Sequence, residues 1–220
     1  MNIYTFYEPV NELNHRSNEK ILEIWKKSWA YYGWTPIVLN LKDAKKHKFY
    51  DEYKKKCETY PTLNFQSYEI LCYLRWLAMA ELGGWHCDFD IMNYGFEPVD
   101  YENKIVTCTH YSLAASTIHL PKSGYEKILN LIYNYEITEK DINHELKKYH
   151  VSDMTILINL RNECNIDLFL DCEAFYSSSC YGYSHEHWTN TKLVHFASAF
   201  TNEEKLKKII EFEKTSKFLT

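Results

Sequence analysis

Asp88 and Asp90 stand one residue apart, where an aromatic strand-like run from Trp85 to Phe89 passes into a loop. Carboxylates at i and i+2 on extended backbone point to the same side. Two of them suit a hard divalent cation, Mn²⁺ or Mg²⁺, that keeps coordination positions open for phosphate oxygens. A cation held in this way neutralises the charge that builds on a departing diphosphate. The pattern alone says little, because nine aspartates in 220 residues often produce an Asp-x-Asp by chance. Its setting says more: a long helical segment, then Gly83-Gly84, then the aromatic strand, then the acid pair.

Tyr73-Leu74-Arg75-Trp76-Leu77, Leu82-Gly83-Gly84-Trp85 and Asp88-Phe89-Asp90 follow, in order and spacing, the pattern R-[YW]-x-x-L…G-G-[WY]-x-x-D-x-D. On these residues the chain resembles glycosyltransferases with the sugar-binding region containing a DXD motif. That group has the GT-A fold and includes mannosyltransferase-like, capsular-polysaccharide and virus-encoded enzymes. The close resemblance covers residues 66–98; the opening strand, the Trp-rich helix and the Gly33-Trp34-Thr35-Pro36 turn are similar more loosely.

The resemblance implies a metal-dependent enzyme that moves a sugar from a UDP- or GDP-sugar donor to a glycan or other hydroxyl acceptor, with a retaining outcome. It also implies roles. Thr5, Phe6 and Tyr7 would lie under the nucleotide base, and Arg75 would reach the donor sugar and phosphates. Asp88 would meet the donor sugar or ribose and Asp90 the metal, in either order, with His195 finishing the metal shell. Asp153, in Val151-Ser152-Asp153-Met154, would lie on the acceptor side of the scissile bond, placing the acceptor hydroxyl or steadying an oxocarbenium-like sugar. Each role has a plainer alternative: Phe6 as core, Arg75 as the partner of a nearby acid, Ser152 or Asp153 as a helix N-cap, His195 as a core histidine. His185 and His187, in a Tyr/Ser-rich loop, come behind His195 as metal ligands. Asp90 is expected at a strand end, outside the core, where its change to Asn should cost little stability.

Positioning these residues requires alternating strands and helices. Strands are predicted at Ile3–Tyr7, Ile37–Leu39, Trp85–Phe89, Ile105–Cys108, Ala114–Leu120, Ile166–Leu170 and Leu193–Phe196. The 3–4 spacing of Ile21, Leu22, Trp25, Trp29 and Tyr32 predicts a helix that Gly33 stops. The same spacing from Ser67 to Leu82 predicts another, ended by Gly83-Gly84. Asp43 is read as the N-cap of a helix through the Lys-rich stretch, and further helices are predicted at Tyr125–Tyr135, Ile142–Tyr149, Met154–Asn162 and Glu203–Lys217. Alternation of this kind argues for an α/β three-layer sandwich with a mostly parallel central sheet, Rossmann-like in the GT-A manner, in a single domain over 1–220. Ligands in such sheets bind outside the carboxyl ends of the strands, where Asp88 and Asp90 fall.

Composition narrows the field. A net charge of −5 without a dense basic stripe argues against electrostatically driven nucleic-acid binding. The aromatic share of 16% fits stacking on flat ligands such as sugars, and equally an AT-rich coding bias toward Tyr. Seven cysteines, odd in number and without a CxxC pair, suit reduced thiols in a cytoplasmic setting. No apolar run reaches the length of a membrane span. The absence of GxGxxG and GxxxxGK[ST] excludes a dinucleotide fingerprint and a P-loop. Two rivals remain: a GT-A-like nucleotidyltransferase, against which residues 1–20 lack the Gly-rich loop a triphosphate needs, and a non-catalytic carbohydrate-binding protein.

Overall fold

The computed structural model describes residues 1–10, 15–101, 106–107, 117–160, 192–196 and 202–215. The first half of the chain supplies β1 (Asn2–Phe6), α1 (His15–Tyr31), β2 (Thr35–Leu39), α2 (Leu41–Ala44), α3 (Tyr50–Cys57), α4 (Gln66–Ala80), β3 (Gly84–Cys87) and β4 (Ile91–Asn93). The second half supplies β5 (Val106–Thr107), β6 (Thr117–Leu120), α5 (Lys122–Tyr133), β7 (Ile142–Asn143), β8 (Lys148–Tyr149), α6 (Asp153–Leu160), β9 (Leu193–His195) and α7 (Asn202–Thr215).

Five strands form the main sheet in the order β2-β1-β3-β6-β5. β1 pairs in parallel with β2 and β3, whereas β6 runs antiparallel to both β3 and β5. The sheet is therefore mixed, and among the described residues β6 is its one reversed strand. Side-chain alternation along β1 and β2 builds two separate cores. Ile3 and Val38 face one, with Ile21, Trp25 and Trp29 of α1 and Ile209 of α7. Tyr4, Phe6 and Ile37 face the other, built on α4 with contributions from α3, α5 and α6. Helices thus cover both faces of the sheet, as a three-layer α/β arrangement requires.

The first core fixes the chain just beyond the acid pair. Trp29, Trp34 and Trp85 donate their indole N–H groups to the carbonyls of Ile91, Phe96 and Val99 at 3.0, 2.7 and 3.0 Å. Their rings also meet edge to face, Trp29 with Trp34 at 5.4 Å and Trp34 with Trp85 at 5.8 Å. Trp25, Trp29, Trp34, Trp76 and Trp85 are all buried. These tryptophans are scaffold, and their share of the aromatic content serves packing rather than ligand stacking.

Helix α4 is apolar almost all round, with Tyr73, Leu74, Trp76, Leu77, Ala78, Met79 and Ala80 buried, as expected of a helix enclosed between the sheet and its neighbours. It stops where the sequence says it should. Gly83, at φ +70°, donates its N–H to the Met79 carbonyl, and a Cβ there would sit 3.1 Å from the Lys122 nitrogen. Gly33 ends α1 at φ +85°, with Trp34 N–H closing back onto the Trp29 carbonyl.

Three expectations change. Ile142–Tyr149 is a β7–β8 hairpin, not a helix: Asn143 accepts the Leu146 N–H on its side chain and the Lys147 N–H on its carbonyl, and Lys147 takes φ 52°. This local turn chemistry offers the backbone a competing partner and wins over the apolar spacing. Asp43 does not N-cap a long helix. Asn40 caps the short α2, Asp43 is the third helical residue of that capping box, and the Lys-rich stretch turns before α3 begins. β3 ends at Cys87, so Asp88-Phe89-Asp90 is a turn rather than extended chain, closed by Ile91 N–H on the Asp88 carbonyl at 3.1 Å. The predicted strand Ile166–Leu170 lies outside the described residues. Cys57, Cys72 and Cys87 are free thiols; the other four cysteines are outside the described residues. Among the described residues no helix is long and apolar enough to cross a membrane.

Candidate functional site

The turn that follows β3 carries Asp88 and Asp90 to the carboxyl end of the sheet, beside the end of β1. From there β4 pairs antiparallel with β9, setting Ile91 opposite His195, and Phe196 N–H donates to the Asp90 carbonyl at 2.9 Å. This pairing brings His195 to the acid pair. Its Nε2 lies 3.4 Å from Asp90 Oδ1. Asp88, Asp90 and His195 each offer a ligand atom, and the three atoms lie within 4.8 Å of one another.

That geometry fits a divalent cation. Oxygen and nitrogen ligands about 2.1 Å from an octahedral ion lie about 3 Å apart when adjacent and about 4.2 Å when opposite. Two carboxylates and one imidazole also leave positions for phosphate oxygens. The side chains converge because the turn folds them together, not through the pleat of a strand.

Arg75, on α4, stands behind Asp88. It donates from Nη1 to Asp88 Oδ1 at 2.8 Å, and from Nε and Nη2 to Asp153 Oδ2 at 3.0 and 2.6 Å. Trp76 Nε1 adds a third bond to the same Asp153 oxygen at 2.8 Å, while Oδ1 accepts the Met154 N–H at 2.8 Å. Asp153 is buried and saturated. Ser152 does the N-capping of α6, accepting the Thr155 N–H at 3.1 Å, which leaves Asp153 free to turn toward Arg75. Arg75 is engaged by acids on both sides, the plainer of its two sequence readings.

Asp90 has a partner that sequence reasoning missed. Lys205 of α7 donates from Nζ to Asp90 Oδ2 at 2.6 Å, with 7% of the lysine side chain and 12% of the aspartate exposed. Asp90 is therefore half of a buried ion pair rather than a free acid at a strand end. Removing one member leaves the other charge uncompensated, so the expectation that Asp90→Asn costs little stability does not stand. In the structure Lys205 shares the i, i+4, i+8 stripe of buried Ile209 and Glu213, but Lys-Ile-Glu at that spacing is no apolar pattern and gave the sequence no signal.

Charges set the two aspartates apart. Burial pushes Asp88 up to about 6 against the pull of Arg75, and the charge of Asp90 adds to the rise. Burial also favours the neutral form of Asp90, but Lys205 and His195 outweigh it and hold its carboxyl well below the usual range. For His195, burial favours the neutral ring, and Asp90 overcomes that to raise its pKa.

At the end of β1, Thr5 is buried and Tyr7 stacks edge to face on Phe89 with 5.5 Å between ring centroids. Among the described residues, Thr5 Oγ1 is buried without a hydrogen-bond partner, and the buried Tyr7 OH and Asn18 Oδ1 have at most each other's side chain to meet. Such a cluster is costly unless something polar meets it. Phe6 turns to the other face and packs against the α4 core. His185 and His187 lie outside the described residues. No protein-family model matches the chain, and no curated protein matches it.

Proposed function

We propose that this chain is a metal-dependent glycosyltransferase that takes a nucleotide-diphosphate sugar, a UDP- or GDP-sugar, and passes the sugar to a hydroxyl of a glycan or other acceptor. The observation that carries the reading is the convergence of Asp88, Asp90 and His195 from opposite parts of the chain, at the carboxyl end of the sheet. The resemblance of residues 66–98 to the DXD enzymes, which includes the same acid pair, also supports it. When bound there, Mn²⁺ or Mg²⁺ supplies charge neutralisation for the departing diphosphate.

The remaining duties fall to the protein. Asp90 Oδ1 and His195 Nε2 supply an oxygen and a nitrogen ligand on one side, and Asp88 a second oxygen ligand beside Arg75. Thr5, Tyr7 and Asn18 offer one donor-rich corner to the nucleotide, next to the Phe89 ring. Phe6 is assigned to the core. Arg75 and Asp153 act as positioning residues: the guanidinium fixes the Asp88 carboxylate, and Asp153 with Trp76 fixes the guanidinium. The retaining outcome rests on the resemblance of Val151-Ser152-Asp153-Met154.

The test is a panel of nucleotide-sugars with Mn²⁺, read first as a rise in melting temperature and then as release of nucleoside diphosphate. One donor should stabilise the protein and be hydrolysed, with the anomer of the transferred product read by NMR. If no nucleotide-sugar shifts the melting curve or is consumed in the presence of Mn²⁺, the assignment fails.

A further inference from the structure

Each carboxylate of the acid pair already has a permanent cation of its own. Arg75 takes Asp88 and Lys205 takes Asp90. Counting Asp88, Asp90 and Asp153 against Arg75 and Lys205, the ionised cluster carries a net charge of only one negative, with His195 neutral. A bare divalent cation therefore meets an acid pair that is largely compensated. The two oxygens of Asp90 are also divided: Oδ2 belongs to Lys205 at 2.6 Å, and Oδ1 faces His195 at 3.4 Å. This leaves Asp90 one oxygen to offer, not two.

Resting on the metal-site reading above, we propose that Lys205 is a positioning residue that reserves Asp90 Oδ2 and holds down the affinity of the site for a free cation. Cation and diphosphate then bind together, because the phosphate oxygens restore the negative charge that Lys205 and Arg75 cancel. The lysine is suited to this role by its burial. It projects from the stripe of α7 that packs toward α1, and Asp90 is its hydrogen-bonding partner at the site. Even at the dielectric of bulk water, an ammonium roughly 5 Å from a doubly charged ion lowers that ion's affinity by at least about tenfold.

The experiment titrates the full chain with Mn²⁺ alone, following free Mn²⁺ by electron paramagnetic resonance, and then repeats the titration with UDP. Lys205→Met and Lys205→Gln remove the charge, and Lys205→Arg keeps it. The neutral variants should bind Mn²⁺ alone at least about tenfold tighter than the wild type and should gain less from UDP; Lys205→Arg should resemble the wild type. Loss of the Asp90 partner lowers the melting temperature on either view, so Mn²⁺ affinity decides: a residue that merely props the fold would leave it equal or weaker. Neutral variants that are folded and bind Mn²⁺ alone no tighter overturn the role of Lys205, while UDP-dependent Mn²⁺ binding by the wild type would leave the metal site standing. Absence of Mn²⁺ binding by every form, with and without UDP, overturns both.

Discussion

Arg75 gives two donors, Nε and Nη2, to a single oxygen of Asp153 and turns its remaining edge to Asp88. One side chain thereby braces the start of α6 against the turn that carries the acid pair. A lysine cannot reproduce this, since its ammonium has neither the planar fork nor the reach to both acids.

Arg75→Lys should therefore fail despite its unchanged charge. Breaking a buried pair of this kind costs about 3–5 kcal/mol, and chemical denaturation should register most of that loss. Trp76→Phe removes one hydrogen bond to the same ionised oxygen and should cost less, about 1.5–3 kcal/mol. Equal stability of Arg75→Lys and wild type would mean that the brace does not hold the fold.

Asp90 and Lys205 should behave as a unit in stability. Asp90→Asn strands a buried ammonium and Lys205→Met a buried carboxylate, and each is expected to cost about 3–5 kcal/mol. The double variant should recover most of either loss, because both charges have then gone. Additive losses in the four-way comparison of unfolding free energies would show the two to be independent.

Cation binding should follow pH. With Asp88 raised to about 6, this group carries a proton in acid that a cation must displace. His195, raised above its ordinary value, adds a second proton to be released. Affinity for Mn²⁺ should begin to fall as pH drops through the raised His195 value and fall more steeply below about 6, by up to about tenfold per unit for each proton displaced. Calorimetry at pH 5 in buffers of different ionisation enthalpy should detect proton release that shrinks by pH 8. A flat pH profile would remove Asp88 and His195 from the ligand set. Without metal, the sign for His195 is opposite: its raised pKa stabilises the fold below about 6.5, and that contribution fades as pH rises through its folded-state value.

Thr5 and Tyr7 separate binding from folding. The buried Thr5 hydroxyl has no hydrogen-bond partner among the described residues and the Tyr7 hydroxyl has Asn18 beside it, so Thr5→Val should leave the melting temperature unchanged or raise it, and Tyr7→Phe should lower it by no more than one hydrogen bond is worth. Each should weaken nucleoside diphosphate binding by about fivefold, the equivalent of one hydrogen bond. A loss of stability with no change in nucleotide affinity would assign both hydroxyls to the fold.

Local signals in the sequence served well wherever one interaction decided the outcome. Gly33 and Gly83 end their helices because only glycine accepts those angles and approaches, and alternation in Ile3–Phe6 gives both faces of β1. Reading Ile142–Tyr149 as a helix failed because Asn143 supplies a competing turn. The reversed direction of β6 is a matter of which edge a strand joins, and residue patterns do not encode it. Asp88 and Asp90 could be named as ligand candidates from their spacing and setting, and His195 only from the family resemblance. Asp153 could be named too, but its saturation by Arg75, Trp76 and Met154 depends on α6 meeting α4 in space. Lys205 stayed hidden behind its neighbours: Glu203, Glu204, Lys207 and Lys208 make it look like one more charge on a solvated face.

The pairing of β4 with β9 also sets a timetable. Asp90 and Lys205 are 115 residues apart, and synthesis at about 5–20 residues per second separates their emergence by roughly 6 to 23 seconds. Until His195 emerges, shortly before Lys205, the acid pair has Arg75 alone. A nascent chain is thus unable to assemble the oxygen-and-nitrogen pocket early. The loop closed by β9 is long, so this corner forms late and slowly compared with the helices around α4. On the proposed metal reading, competence to hold a cation marks a finished fold, and metal-dependent protection from proteolysis, followed in stalled chains of increasing length, should appear only once β9 and α7 have emerged.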